Sequence, residues 1–497
     1  MRLPERPVVP GFHPDPSVCR VGSSYYLVCS SFEYAPGVPV FRSPDLRTWR
    51  QIGNVLDRPS QLAVNGAGPS GGVFAPTLRH HDGRFWMITT NHTHRAGLLL
   101  VTAEDPAGPW SDPVWIDAPP GVDPDLAWDR DGTCLVTWSG ADATGRSVVV
   151  QAALDPLAGK LLEEPRQLWS GTGGKYPEAP HLYRIGEHWY LLIAEGGTER
   201  GHAVTIARGP SPAGPFDPCP DNPLLTARGL ATAVQNTGHA DLVQRPDGTW
   251  ATVFLGVRAL GGTPHWHVLG RETYACEVVL DDDGWPRLGD PIEPDAPAAL
   301  TEELTGPALP LSWVGAERFP AEVLRPMQGG GWRLTSAAGA DPVFVGRRQQ
   351  HLTVRARAAL DVSGGTGGLE LRVDARHAVT LEAGHGAVRA VATIGEVRAV
   401  LGEREAGPDV TLELRTGPPS GPALSHGPGP DEIVAGVVDG AGFHALGRLD
   451  GRYLSTETAG GFTGRMIGLT CSRGRLAVAS FSYRGSDEPA LPDSTAV

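Results

Sequence analysis

His81-Asp82-Gly83-Arg84-Phe85-Trp86-Met87-Ile88-Thr89-Thr90-Asn91 joins an Asp-Gly turn to an apolar, aromatic and β-branched run, the strongest short-range signal for a β-hairpin. The pattern of a turn glycine followed by such a run recurs at Gly22, Gly132, Gly186 and Gly248, so that successive glycines lie 61, 49, 54 and 62 residues apart. A unit repeated at intervals of a few tens of residues is the mark of a solenoid or a propeller. Several copies continue into a further strand that ends at a Pro-containing turn, as at Arg42-Ser43-Pro44-Asp45, Glu104-Asp105-Pro106-Ala107, Leu154-Asp155-Pro156-Leu157 and Gly209-Pro210-Ser211-Pro212. With roughly four strands per copy and almost no helical periodicity, the chain reads as all-β, and five such units make a five-bladed β-propeller whose innermost strands line a central channel. An irregular β-sandwich is the alternative, because sandwiches also show evenly spaced strands.

Beyond about Pro291 the chain turns rich in Pro, Ala and Asp, and strict alternation then returns in His351-Leu352-Thr353-Val354-Arg355-Ala356-Arg357 and Leu369-Glu370-Leu371-Arg372-Val373. Glu432–Val438 and Leu476–Tyr483 read the same way, as antiparallel strands. The expected division is a propeller over residues 1–300 and a β-sandwich over 301–497.

Composition narrows the function. Gly 65 and Pro 46 in 497 residues call for many turns, while 40% hydrophobic residues keep the chain out of the disordered class. A net charge of −14 leaves no basic surface for a phosphate backbone or an anionic bilayer. No apolar run approaches the length of a membrane span, and the start, Met1-Arg2-Leu3-Pro4-Glu5-Arg6-Pro7, has no apolar signal region, so the expectation is a soluble, cytoplasmic protein. The six cysteines form no CxxC pair and are expected to be reduced and buried.

Seven to nine residues upstream of each turn glycine, where an innermost strand begins, stand His13-Pro14-Asp15-Pro16-Ser17, Val122-Asp123-Pro124-Asp125, Tyr176-Pro177-Glu178-Ala179-Pro180 and Gly238-His239-Ala240-Asp241, with Phe74-Ala75-Pro76-Thr77 in the remaining copy. Radial closure then gathers Asp15, Asp123, Glu178 and His239 around one axis. Three converging carboxylates with aromatics nearby suit glycosidic-bond hydrolysis, in which one protonated acid and one ionised base flank the sugar. Asp-Pro and Glu-x-Pro pieces are also ordinary turn formers, but turn chemistry does not require acids in step with the hairpins. The residues alone leave open which carboxylate is acid and which is base.

Val9-Pro10-Gly11-Phe12-His13-Pro14-Asp15-Pro16-Ser17, Gly121-Val122-Asp123-Pro124, Glu178-Ala179-Pro180-His181-Leu182-Tyr183, Gly238-His239-Ala240-Asp241-Leu242-Val243 and Leu269-Gly270-Arg271-Glu272-Thr273 resemble glycoside hydrolase family 43, in its subgroup of β-xylosidases and α-L-arabinofuranosidases. The likeness continues through Gly346-Arg347-Arg348-Gln349-Gln350-His351 and Gly461-Phe462-Thr463-Gly464. It implies an inverting single displacement in which Asp15 deprotonates water, Glu178 protonates the leaving group, Asp123 positions Glu178 and raises its pKa, and Arg271 binds sugar hydroxyls. Phe32 and Phe74 are candidate stacking residues, and Phe462 sits in a loop that the family suggests reaches over the pocket. Each of the three phenylalanines has a rival role as packed core. Phe74 stands where relatives often carry Trp, and Leu126-Ala127-Trp128 where a Leu-Phe-Phe run is usual, so the sugar preference stays open.

The resemblance requires no cofactor. Calcium or water lies near the His239 position in some relatives, but hard Ca²⁺ prefers oxygen ligands and a neutral, hydrogen-bonded histidine is the preferred reading. His80, His81, His92 and His94 lack a third-ligand motif for zinc. Gly68-Pro69-Ser70-Gly71-Gly72 imitates a nucleophile elbow without its strand and helix, and Gly171-Thr172-Gly173-Gly174-Lys175 imitates a phosphate loop with the wrong spacing. The expectation is an exo-acting, inverting hydrolase that releases terminal xylose or arabinofuranose from hemicellulose fragments, with β-xylosidase activity favoured. Its partner is a small oligosaccharide, and homo-oligomers are permitted. The alternatives are an α-L-arabinofuranosidase with little xylosidase activity, or a carbohydrate-binding propeller without catalysis.

Overall fold

The computed structural model describes residues 2–304, 306–337, 339, 341–419 and 428–488. Five separate antiparallel sheets of four or five strands follow one another from Ser17 to Ile292, the blades of a propeller. Their innermost strands are Ser17–Val21, Thr77–His81, Val122–Trp128, Glu178–Ile185 and Val234–Gln244. Each is joined by a tight turn to the second strand of its blade. In blade two, His81 faces Arg84 across Asp82 and Gly83, both with positive φ (50° and 71°), the backbone that a two-residue hairpin with the right-handed strand twist requires.

The apolar cores lie between adjacent blades. Trp86, Ile88 and Leu98 of blade two pack with Leu126, Val136 and Trp138 of blade three. Leu191 and Ile193 of blade four join Ala127 and Val149 of blade three, and Leu192 and Val204 join Phe254 and Tyr274 of blade five. Val18, Tyr25 and Leu27 of blade one meet Val243, Val253 and Ala275 of blade five, so the ring closes by side-chain packing between the first and last blades. Burying each such large side chain contributes about 1.5–3 kcal/mol, and the residues in these shared clusters therefore tie neighbouring blades together.

Met1–Val9, His13–Val257 and Glu272–Asp295 form this first compact unit, and Pro10–Phe12, Arg258–Arg271 and Ala296–Val497 form a second. The second unit is a β-sandwich of the jelly-roll kind. Its 21-residue strand Met466–Ser486 runs through both sheets, pairing first with Val343–Arg348 and Gly365–Asp374 and then with Trp332–Thr335, Thr353–Asp361 and Ala299–Glu303. Thr353–Asp361 alternates between buried and more exposed positions as its sequence anticipates, whereas Leu369–Val373 is buried on both faces. The cysteines are all free and buried.

His351 of the sandwich is 2% exposed and its Nδ1 lies 2.9 Å from the Tyr483 hydroxyl. Burial pushes its imidazole from 6.5 down to about 4, aided by repulsion from Arg347 and Arg258 against the pull of Asp487. The unfolded chain therefore takes up this proton below about 6.5 while the folded chain refuses it until about 4. The result is up to about 3 kcal/mol of stability present above that window and lost as pH falls through it. A His351→Gln variant is expected to melt below wild type at pH 7.5 and to converge on it by pH 4.5, which thermal denaturation across pH will check.

Candidate active site

A left-handed residue stands at or just before the start of the first, third and fourth inner strands, whereas in the fifth, which begins at Val234, His239 lies mid-strand rather than at the start its sequence suggests. Asp15, Asp123, Ala179 and His239 have φ of 56°, 55°, 50° and 48°, a region that non-glycine residues enter at a cost of about 1–3 kcal/mol and that concentrates at functional sites. In the third and fourth blades the pairing register jumps at these points, between Val122 and Asp125 and between Glu178 and His181. Such a bulge re-aims a side chain out of the strict in-out alternation of a strand.

Asp15 is buried, and its Oδ2 accepts a 2.6 Å hydrogen bond from the Ser30 hydroxyl while its Oδ1 stands 3.6 Å from His239 Nδ1. Asp123, also buried, accepts the Ala179 N–H at 3.1 Å on Oδ2. Ser139 donates to the Pro177 carbonyl at 2.8 Å, so blade three grips the chain on both sides of half-buried Glu178. The structure thus brings Asp15 to His239 and Asp123 to the segment that carries Glu178. Phe32 is buried and meets half-buried Phe74 edge to face at 5.2 Å, and Phe74 meets His92 at 4.7 Å.

Arg271 and Phe462 both belong to the second unit, where they contact each other: the guanidinium lies 5.4 Å from the ring centre and Nη2 donates to the Phe462 carbonyl at 3.3 Å. Phe462 is 37% exposed, which sets it apart from packed core.

The histidine group engages aromatic rings. His81 stacks on Trp128 at 4.2 Å, His80 meets Phe85, and His94 lies against Trp115. No cluster of three or more His, Cys, Asp or Glu arranged for a metal ion occurs among the described residues. Ser70 lies among turns, its N–H donating to Glu33 Oε2 at 3.1 Å.

The loop Gly171–Gly174 does cradle an anion, and the anion is the protein's own. Buried Glu195 accepts the Thr172 N–H at 3.1 Å, the Thr172 hydroxyl at 2.5 Å and the Gly174 N–H at 2.9 Å. Its carboxylate fills the concavity that successive amides make for a negative group. A Cβ on Gly171 or Gly174 would come within 2.7 or 2.8 Å of Glu195 Oε2. Glu195→Ala leaves those donors unpaired, with an expected loss of about 1–3 kcal/mol, to be read by urea denaturation together with faster proteolysis within 171–175.

Sequence reasoning missed a second tier of polar residues one pleat further along the inner strands: Ser17, Asp125, His181 and Asp241, with Arg79 from blade two. All are buried except Arg79, whose side chain is 15% exposed. The signal was present, since Asp125 and Asp241 follow the left-handed Asp123 and His239 by two residues.

The sequence model for glycosyl hydrolases family 43 matches residues 4–286, and that for a beta xylosidase C-terminal concanavalin A-like domain matches 326–484. The chain belongs to glycosyl hydrolase family 43, and it is a glycoside hydrolase. It is 36% identical to the non-reducing end alpha-L-arabinofuranosidase BoGH43B of Bacteroides ovatus, over 94% of this chain and 90% of that one. It is 44% identical to a xylosidase/arabinosidase of Butyrivibrio fibrisolvens over 61% of this chain and 62% of that one. Among solved structures, the xylan beta-1,4-xylosidase from Bacillus halodurans C-125 superposes with a TM-score of 0.85 at 28% identity, covering 97% of this chain and 100% of the other.

Proposed function

We propose that the protein is an exo-acting, inverting glycosidase that removes terminal xylose or arabinofuranose from short hemicellulose oligosaccharides. In this reading Asp15 is the general base that deprotonates the attacking water, Glu178 is the general acid, and Asp123 is the group that orients Glu178. The observation that carries it is the pairing of the two acidic groups with separate anchors. Asp15 is held by Ser30 beside His239, while Glu178 starts a strand whose next amide is bound to Asp123. An inverting displacement needs two carboxyls with distinct tasks on opposite faces of the sugar. Half-buried Phe74 presents its ring to the apolar C–H faces of the sugar, and buried Phe32 backs it edge to face.

Relatives named for xylosidase and for arabinofuranosidase activity support both sugars. The arabinofuranosidase reading draws particular support from BoGH43B, which matches along nearly the whole chain. The deciding experiment compares 4-nitrophenyl β-D-xylopyranoside with 4-nitrophenyl α-L-arabinofuranoside and follows the first-formed anomer of the released sugar by proton NMR. Cleavage of at least one glycoside with inversion is expected. Retention of configuration, or cleavage of neither, overturns the proposal.

A further inference from the structure

We propose that Arg79 is a positioning residue for the glycosidic reaction, closing a ring of buried polar bonds that links all five inner strands one pleat away from the candidate acid and base. The inference rests on the assignment of Asp15 and Glu178 given above.

The ring can be followed strand by strand. The Ser17 hydroxyl of the first inner strand accepts the Leu78 N–H of the second at 3.0 Å. Arg79 of the second reaches the third through Nη2, 2.8 Å from Asp125 Oδ1. Asp125 Oδ2 accepts the Leu182 N–H of the fourth at 3.0 Å. The Tyr183 hydroxyl of the fourth accepts the Leu242 N–H of the fifth at 2.8 Å, and donates to Asp241 Oδ1. Asp241 of the fifth returns to the first, its Oδ2 accepting the Val18 N–H at 3.0 Å and the Ser17 hydroxyl at 2.7 Å.

Four of the five links are side-chain oxygens holding a neighbouring strand's backbone amide, and the link between the second and third strands is the Arg79 ion pair. The same guanidinium crosses the ring, with Nη1 2.8 Å from Asp241 Oδ2 and Nη2 2.9 Å from His181 Nδ1. Arginine only donates, so His181 accepts at Nδ1. Although burial opposes it, Arg79 holds the Asp241 carboxyl well below the usual carboxylate range.

Buried charge is an expensive way to fill a channel, since well-packed apolar residues are often as stable or more so. What the ring adds is registry. Asp15, Asp123 and His239 each precede a ring member by two residues, and Glu178 precedes His181 by three across left-handed Ala179. Two strand residues span about 7 Å, so the ring fixes the first, third, fourth and fifth inner strands close to the points from which Asp15, Asp123, Glu178 and His239 project. A misplacement of about 1 Å between reacting groups costs on the order of 10²-fold in rate.

The test compares Arg79→Met, Arg79→Lys and the neutral triple variant Arg79→Met/Asp125→Asn/Asp241→Asn on the better of the two 4-nitrophenyl glycosides, with melting temperature measured alongside. Arg79→Met is expected to lower kcat about 100-fold with KM within about threefold of wild type, and Arg79→Lys to recover about tenfold of that. The triple variant, free of uncompensated buried charge, is expected to regain melting temperature without regaining kcat. Should Arg79→Met not fold, the lysine and triple variants carry the test. Wild-type kcat in any folded Arg79 variant, or kcat returning with melting temperature in the triple variant, overturns the inference. Full activity of Asp15→Asn and Glu178→Gln would instead overturn the acid and base assignment, and is read separately in the same assay.

Discussion

Glu178→Gln is expected to lower turnover of xylo- or arabino-oligosaccharides by about 10²–10⁴-fold, the usual worth of a positioned general acid, while cleavage of 4-nitrophenyl glycosides falls far less. The amide keeps the shape of the carboxyl and its place at the head of the fourth inner strand, held on one side by the Asp123–Ala179 bond and on the other by the Ser139–Pro177 bond. It cannot deliver a proton. A sugar alkoxide leaves only when protonated, whereas 4-nitrophenolate leaves as the anion, so the penalty follows the leaving group. Chromatography of released monosaccharide beside nitrophenolate release gives both rates from one preparation. Equal losses on the two substrate types would remove Glu178 from the acid role.

The propeller was legible because its signal is local and repeated. Asp82-Gly83 and its counterparts demand a tight turn wherever they stand, and five copies in series leave few ways to bury the flanking apolar runs. The sandwich was legible for the same kind of reason in Thr353–Asp361, where alternation follows the pleat. The positions of Asp15, Asp123, Glu178 and His239 followed from counting back from the turns.

Their backbone did not follow. A residue before proline is ordinarily extended, yet Asp15, Asp123 and Ala179 precede prolines and are left-handed. The surrounding blade overrides the local preference. Arg79 was hidden for a different reason. In Thr77-Leu78-Arg79-His80-His81 it looks like a solvated strand end, and its partners Asp241 and His181 lie 162 and 102 residues away. Only ring closure puts two carboxylates against it. The glycine-rich 171–174 loop has the wrong spacing for a phosphate loop, Tyr176 where a hydroxyl residue is needed and no helix after it, and nothing local announces that Glu195 serves as its anion.

Asp15→Asn is expected to abolish nearly all turnover, by about 10²–10⁴-fold, on oligosaccharides and 4-nitrophenyl glycosides alike. Activation of water is needed whichever group departs, so the loss is indifferent to the leaving group, in contrast with Glu178→Gln. The asparagine keeps an oxygen for the Ser30 hydroxyl that now meets Asp15 at 2.6 Å, which preserves the local fold and isolates the lost basicity. Azide, an anion that needs no deprotonation, is expected to restore cleavage of the 4-nitrophenyl glycoside in this variant and to leave a glycosyl azide of inverted configuration. The same addition is expected to do nothing comparable for oligosaccharides in Glu178→Gln, where the missing proton belongs to the leaving group. The two variants thus form a cross. If the Asp15→Asn loss proved confined to unactivated oligosaccharides and the Glu178→Gln loss general and azide-rescued, the roles would be exchanged between the two carboxylates, with Asp123 then orienting the base.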